Sequence, residues 1–457
     1  MDLAFSSTIE LAAAIAARNI SAVEALEVHL AQIDRHNGAV NAVVILDREG
    51  ARERAKEADA ILARGDALGP LHGVPFTLKD THETAGMRIT AGFPSFADYV
   101  AKQDSPVVAR LKGAGGVLAG KTNVATMLGD WQSDNPLFGR TGNPWNLDRT
   151  AGGSSGGAAA AVATGMTPFE VGTDMQDSIR LPASFCGVYG LKPTEHRISL
   201  AGAFPDPGGA ARSVRRMSCL GPLARTVEDL ALIYRIIAGP DGSDTDLAPV
   251  PVEPMETLNL KSLRIAIAPS FPGFPVAGEI SSTVENLAHQ LQGEGASVEE
   301  AKLPKLDLHD DLEQGGELIG MMLKAAQPEP PEQPTPVSRW FEALARRDRS
   351  ILAWDRFFET CDALLCPVAM CTAFPHCEPG TSIEVDGKQQ NYWMLPAYGA
   401  VFNYSGHPAL AMPCEQDRNG LPIGLQIVGR RWSESRLLGI ATAMAPFACG
   451  FGRPPGY

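Results

Sequence analysis

The chain has 457 residues, 44% hydrophobic and 20% charged, which is the composition of a globular protein with material for a large core. Its net charge of −14 argues against nucleic acid or an anionic membrane as the main partner, because phosphate binding needs clustered Lys and Arg. The opening stretch MDLAFSSTIELAAAIAARN lacks the basic start of a secretory signal, and no stretch offers about 18 unbroken apolar residues, so a cytoplasmic protein without a membrane span is expected.

Residues 1–68 read as helical. Ser7 or Thr8 would cap the first helix, with Glu10 in its first turn. In the stretch 21–37, Val23, Leu26, Val28, Leu30 and Ile33 fall near one face, and a third helical stretch stops at Gly65. From residue 69 the texture changes. GPLHGVPFTLKD is a Gly/Pro-punctuated strand that ends in Lys79 and Asp80. Residues 104–123 read as a helix capped by Asp104 or Ser105, with Pro106 in its first turn, and then a short strand, Val117–Ala119. Short apolar strands, Gly-rich loops and helices alternate to about 240, the mark of an α/β sheet protein. Residues 260–270 contain a strand, 281–300 a helix and a strand, and 420–445 a turn, a strand and a final helix. The Pro-rich segment 325–340 reads as an extended surface loop. With no internal repeat, the expectation is one domain over 1–457, with a core at 69–240 and the remainder at 241–457.

Two apparent motifs carry no chemistry. Cys361, Cys366, Cys371 and Cys377, with His376, lie close together, but their spacing is poor for zinc and no C-x-x-C occurs; they read as free thiols of a reducing compartment, mostly buried. GGVLAGKT (115–122) fits the phosphate-loop spacing, yet its cradle is itself a strand and a helix precedes it rather than follows.

Three features do point to chemistry. Gly pairs bracket Ser154 and Ser155 in TAGGSSGGAAAA, where glycine permits close backbone approach. Ser178 follows an apolar run in VGTDMQDSIRLPASFCG, outside any G-x-S-x-G elbow. A serine nucleophile needs a base within reach and donors for an oxyanion, and none of the nine histidines stands out as that base; His72 and His82, which flank Lys79, read as structural. Lys79 ends an apolar strand, where burial would disfavour its charged form.

From about Gly73 to Thr194 the ordered motifs GVPFTLKD, GKTN, PLFGRTGNPWN, GGSSGGAAAAVA and GTDMQDSIRLPASFCGVYGLKPT closely resemble the amidase signature family. That resemblance implies a large mixed, twisted β-sheet covered by α-helices on both faces. It implies Ser178 as nucleophile, Ser154 as bridging serine behind a cis Gly153–Ser154 peptide, and Lys79 as base. The backbone amides of Met175, Gln176, Asp177 and Ser178 would form the oxyanion hole, with Ser155, Asp174 and Arg180 in support. Leu128, Gly129 and Trp131 would line the substrate pocket. No metal or organic cofactor is implied, and the expected partner is a small-molecule amide, ester or carbamate bound by a monomer or homodimer. The sequence departs from the family where Gln176-Asp177 replaces the usual Gly-Gly and where Thr126 stands in the region of an acidic residue often found after GKTN. Asp177 is expected to point away from the developing oxyanion or to be paired. An amidotransferase subunit that releases ammonia from glutamine is the alternative activity.

Overall fold

Side-chain caps start the amino-terminal helices. Ser7 and Glu10 form a reciprocal capping box on helix Thr8–Ala16, and Ser21 and Glu24 do the same for Ala22–Val40. Helix Arg48–Arg64 ends at Gly65 in the left-handed conformation that glycine adopts freely. The computed structural model describes residues 2–205, 214–326 and 333–457. In helix Ala22–Val40 the buried face is Ala22, Ala25, Leu26, His29, Leu30 and Ile33. Val23 and Val28 are only partly covered, because the 3.6-residue period carries them off the face expected from the apolar residues alone.

A small sheet orders its strands Val43–Leu46, Val117–Thr122, Pro75–Lys79, the second pair parallel. Gly120, Lys121 and Thr122 belong to its middle strand, so the apparent phosphate loop is extended backbone. The large sheet has eight strands in the order Ser297–Glu300, Arg264–Ile267, Ala363–Pro367, Pro422–Val428, Ala409–Gln416, Tyr189–Lys192, Cys219–Ala224, Phe169–Asp174. The first three run parallel and the other pairs antiparallel, giving a mixed sheet with α-helices on both faces. Three strands come from before residue 240 and five from after it.

Period-two alternation divides the core. Ile265, Ala363, Leu365, Leu410, Met412, Leu425 and Ile427 join one apolar cluster, with Val284 of helix Gly278–Gly293 and Leu438 of helix Glu434–Met444. Their neighbours Ala266, Leu364, Cys366, Ala409 and Val428 join another, with Trp354 of helix Val337–Phe357 and Phe402 of helix Ala397–Tyr404. The Pro-rich segment is shorter as a loop than expected: helix Leu308–Ala325 runs into it, the next helix begins at Val337, and residues 327–332 lie outside the described residues. Cys361, Cys366 and Cys371 are buried and Cys377 is half-buried.

The two sheets meet where the chemistry lies. Phe76 stacks on Phe169 with ring centroids 5.2 Å apart, and the Thr77 hydroxyl donates to Glu170 at 2.7 Å. Strand Pro75–Lys79 thus lies beside the edge strand Phe169–Asp174, which brings Lys79 to Thr173 at their carboxyl ends.

Candidate active site

Lys79 is the last residue of a strand whose five residues are all buried. Its Nζ lies 2.7 Å from each of Ser154 Oγ, Ser155 Oγ and Thr173 Oγ1. Burial pushes its pKa well below the lysine range, while the carboxyl groups of Asp174 and Glu170 oppose that shift. Glu170 opposes it weakly, because burial raises its own value to about 7.

Ser154 and Ser155 precede helix Gly156–Ala163, every residue of which is buried. The Gly153–Ser154 peptide is cis. A side chain at Gly153 would overlap the Trp131–Gln132 backbone, and one at Gly157 would overlap the backbone of Asn123, so both glycines serve close chain crossings. Ser133 ties the turn, its Oγ accepting from the Gly156 amide at 2.8 Å and donating to the Ser154 carbonyl at 3.3 Å.

Ser178 sits in the turn between strand Phe169–Asp174 and helix Arg180–Cys186 and is 7% exposed. Its carbonyl accepts the Ser155 amide at 3.2 Å, which joins the two serine loops. Beneath the turn, Arg180 and Asp174 form a fully buried ion pair, with Arg180 Nε 3.1 Å from Asp174 Oδ2 and Arg180 Nη2 3.1 Å from Oδ1. Burial opposes ionisation of Asp174, but the Arg180 guanidinium more than offsets it and holds the carboxyl at about 2. Arg180 also donates to Gln426 Oε1 at 2.9 Å and Asn403 Oδ1 at 2.6 Å.

The expected oxyanion donors separate. The Asp177 amide donates to Asp174 Oδ1 at 2.9 Å and Asn403 Oδ1 at 3.2 Å, which removes it from the expected donor set; the amides of Met175, Gln176 and Ser178 are not drawn into that network. The Asp177 side chain is buried, as is Trp131, which is 8% exposed. Trp131 donates its indole N–H to the Gln176 carbonyl at 3.0 Å, so it braces the turn that carries Ser178. Leu128 is half-buried and Gly129 exposed at the start of the same segment. His72 and His82 each donate Nε2–H to a backbone carbonyl, that of Ala58 at 2.9 Å and that of Val171 at 3.0 Å.

Sequence reading missed Thr173, Asn403 and Gln426. Thr173 had a local signal, its place near the end of strand Phe169–Asp174, five residues before Ser178; Asn403 and Gln426 had none, being more than 220 residues from their partners in the turn.

The sequence matches the family described as Amidase over residues 24–314 and 321–438. It is 33% identical to an acylamidase of Rhodococcus erythropolis, across 98% of this chain and 97% of that one. It is equally 33% identical to the A-type subunit of glutamyl-tRNA(Gln) amidotransferase from Moorella thermoacetica, across 97% of this chain and 96% of that one. The solved structure of 6-aminohexanoate cyclic dimer hydrolase superposes with a TM-score of 0.84 at 29% identity, covering 99% of each chain. The chain belongs to the amidase signature family, enzymes of the Ser–cis-Ser–Lys type that cleave carbon–nitrogen bonds. Serine- and lysine-based amide cleavage is the chemistry it shares with both the hydrolases and the amidotransferase members of that family.

Proposed function

We propose that the protein is a hydrolase of small-molecule amides, with esters and carbamates as further substrates, working through an acyl-enzyme on Ser178. The observation that carries this reading is the buried Lys79 amine held 2.7 Å from three hydroxyls, one of them Ser154. A neutral amine has two N–H donors and one lone pair, so it can donate to two of those hydroxyls and accept from the third. With the lone pair toward Ser154, Lys79 accepts the Ser154 proton as Ser154 takes the proton of Ser178. Ser178 Oγ then attacks the substrate carbonyl carbon. The amides of Met175, Gln176 and Ser178 are the donors assigned to the developing oxyanion. When the tetrahedral intermediate collapses, the proton on Lys79 returns through Ser154 to the leaving nitrogen and the C–N bond breaks. Water attacks the acyl-enzyme, its proton passing to Lys79 by the same route, and collapse restores the Ser178 hydroxyl. Ser155 and Thr173 fix the Lys79 amine; Asp174 and Arg180 order the turn; Leu128, Gly129 and Trp131 are the residues assigned to the substrate pocket.

Ser178→Ala is expected to abolish turnover in a screen of anilides, alkyl amides, esters and carbamates while the thermal transition persists. Wild-type turnover in that variant would refute the reading. The second reading, an amidotransferase subunit, is favoured by the relative from Moorella thermoacetica. Glutaminase activity that appears only with co-purified partner proteins would select it; turnover of anilides or carbamates by the isolated chain selects the first.

A further inference from the structure

Asp177 takes no part in the proton relay proposed for Ser178. Its φ is +72°, in the left-handed region that favours glycine and that aspartate tolerates better than most side chains. Its carboxyl is fully buried and neither oxygen has a hydrogen-bond partner. Arg180 Nε lies 3.3 Å from Oδ1, but the four hydrogen bonds of that guanidinium go to Asp174, Asn403 and Gln426. The carboxyl rests on helix Ala397–Tyr404 at Gly399, where any Cβ would overlap its atoms. The same helix supplies Asn403, whose Oδ1 accepts the Asp177 amide. On the other side, the Gln176 carbonyl is held by Trp131. The peptide between Gln176 and Asp177 is therefore clamped at both ends, and its side-chain wedge fits only because residue 399 has no side chain.

We propose that Asp177 and Gly399 are a matched pair that docks the nucleophile turn on helix Ala397–Tyr404, making Asp177 a positioning residue for Ser178 where the family uses flexible glycine. The role is one of shape. One buried guanidinium faces two carboxyls and is committed to Asp174, and burial together with the Asp174 charge pushes the Asp177 carboxyl well above the usual carboxylate range against the pull of Arg180. Lys192 adds a more distant positive charge, and Asn403 and Gln426 face the cluster as neutral amides.

The inference rests on Ser178 being the nucleophile, so its test reads the serine without a substrate: the rate of labelling by a fluorophosphonate, with Ser178→Ala as the blank. An unlabelled wild type overturns the nucleophile assignment itself. Given labelling, Gly399→Ala drives a methyl into the Asp177 carboxyl and is expected to slow labelling about 100-fold, the scale of an ångström-sized misplacement. Adding Asp177→Gly removes the clash and is expected to recover labelling and thermal midpoint together, to within about tenfold of wild type. Asp177→Gly alone is expected to slow labelling about tenfold, whereas Asp177→Asn, of equal shape, stays within about threefold and keeps the wild-type pH profile. With an amide substrate, the Asp177→Gly loss falls on kcat and leaves KM nearly unchanged. A double variant no better than Gly399→Ala in labelling or melting, or an Asp177→Gly that labels as fast as wild type, overturns the proposal. So does an Asp177→Asn as slow as Asp177→Gly, which would mean that the charge, not the shape, is needed.

Discussion

At the scale of single residues, the proposed chemistry turns on what burial does to Lys79. In water a lysine holds its proton to about pH 10.4 and cannot accept one from serine. Here desolvation depresses the value well below that range, so the neutral base is present at lower pH. As pH falls through the depressed value, Lys79 gains a proton and loses its lone pair. The expected profile of kcat/KM is a plateau that falls on the acid side, with the limb displaced to well below the lysine range. A rate that keeps climbing to about pH 10.4 would mean an ordinary lysine and would remove Lys79 as the resting base. Lys79, Ser154 and Ser178, the residues proposed for the relay, could be singled out in the sequence because each lies in a long local motif. Asp177 was expected to point away or be paired, and it is buried against Gly399 with Arg180 Nε 3.3 Å from its Oδ1, an ion pair outside that guanidinium's hydrogen bonds. No local rule reaches that, because Gly399 lies far along the chain.

Among elements, the sheet strands explain why small residues recur at crossings. Gly221 lies in strand Cys219–Ala224, and a Cβ there would overlap the Leu191 carbonyl of the neighbouring strand Tyr189–Lys192 and approach Pro193. Gly221→Val should force these strands apart and cost at least about 1–3 kcal/mol by overpacking. Chemical denaturation measures this; a variant as stable as wild type would mean that the strand edge yields without cost. The stop at Gly65 was visible in sequence, and so were two helix starts to within a residue, where Ser7 caps rather than Thr8 and Ser105 rather than Asp104, since caps are local signals. The buried face of helix Ala22–Val40 was read less well, because small alanines and His29 share it with the larger apolar residues. The Pro-rich stretch misled in extent, since neighbouring helices continue into its ends.

At the scale of the whole molecule, parts distant in sequence are stapled by buried charge. Arg347, on helix Val337–Phe357, pairs with Glu195 just beyond strand Tyr189–Lys192 and donates to the Tyr404 carbonyl at 2.7 Å. Burial opposes ionisation of Glu195, but the Arg347 guanidinium overrides it and holds the carboxyl far below its usual range. Its contribution is therefore present above the unfolded glutamate value and is lost as pH falls through the depressed one. Arg347→Met strips the guanidinium from a buried carboxylate that keeps, among the described residues, only His196 Nε2 at 3.2 Å and the Met217 amide at 3.1 Å, and should cost up to about 3–5 kcal/mol near neutral pH. The gap should narrow toward acid, as the stranded carboxyl takes up a proton; a gap independent of pH would show that Glu195 does not carry the effect. No helix among the described residues is long and apolar enough to cross a membrane. By itself the sequence determined the α/β class, most element starts and stops and the family, and it singled out Lys79, Ser154 and Ser178 as the residues to propose, because capping, periodicity and contiguous motifs are properties of neighbouring residues. Only the tertiary structure decided that Lys79 meets three hydroxyls, that Asn403 and Gln426 brace the turn carrying Ser178, and that Asp177 fits over Gly399. Those facts depend on which distant surfaces come within a few ångströms, and burial, which lowers the Lys79 pKa, exists only once they do.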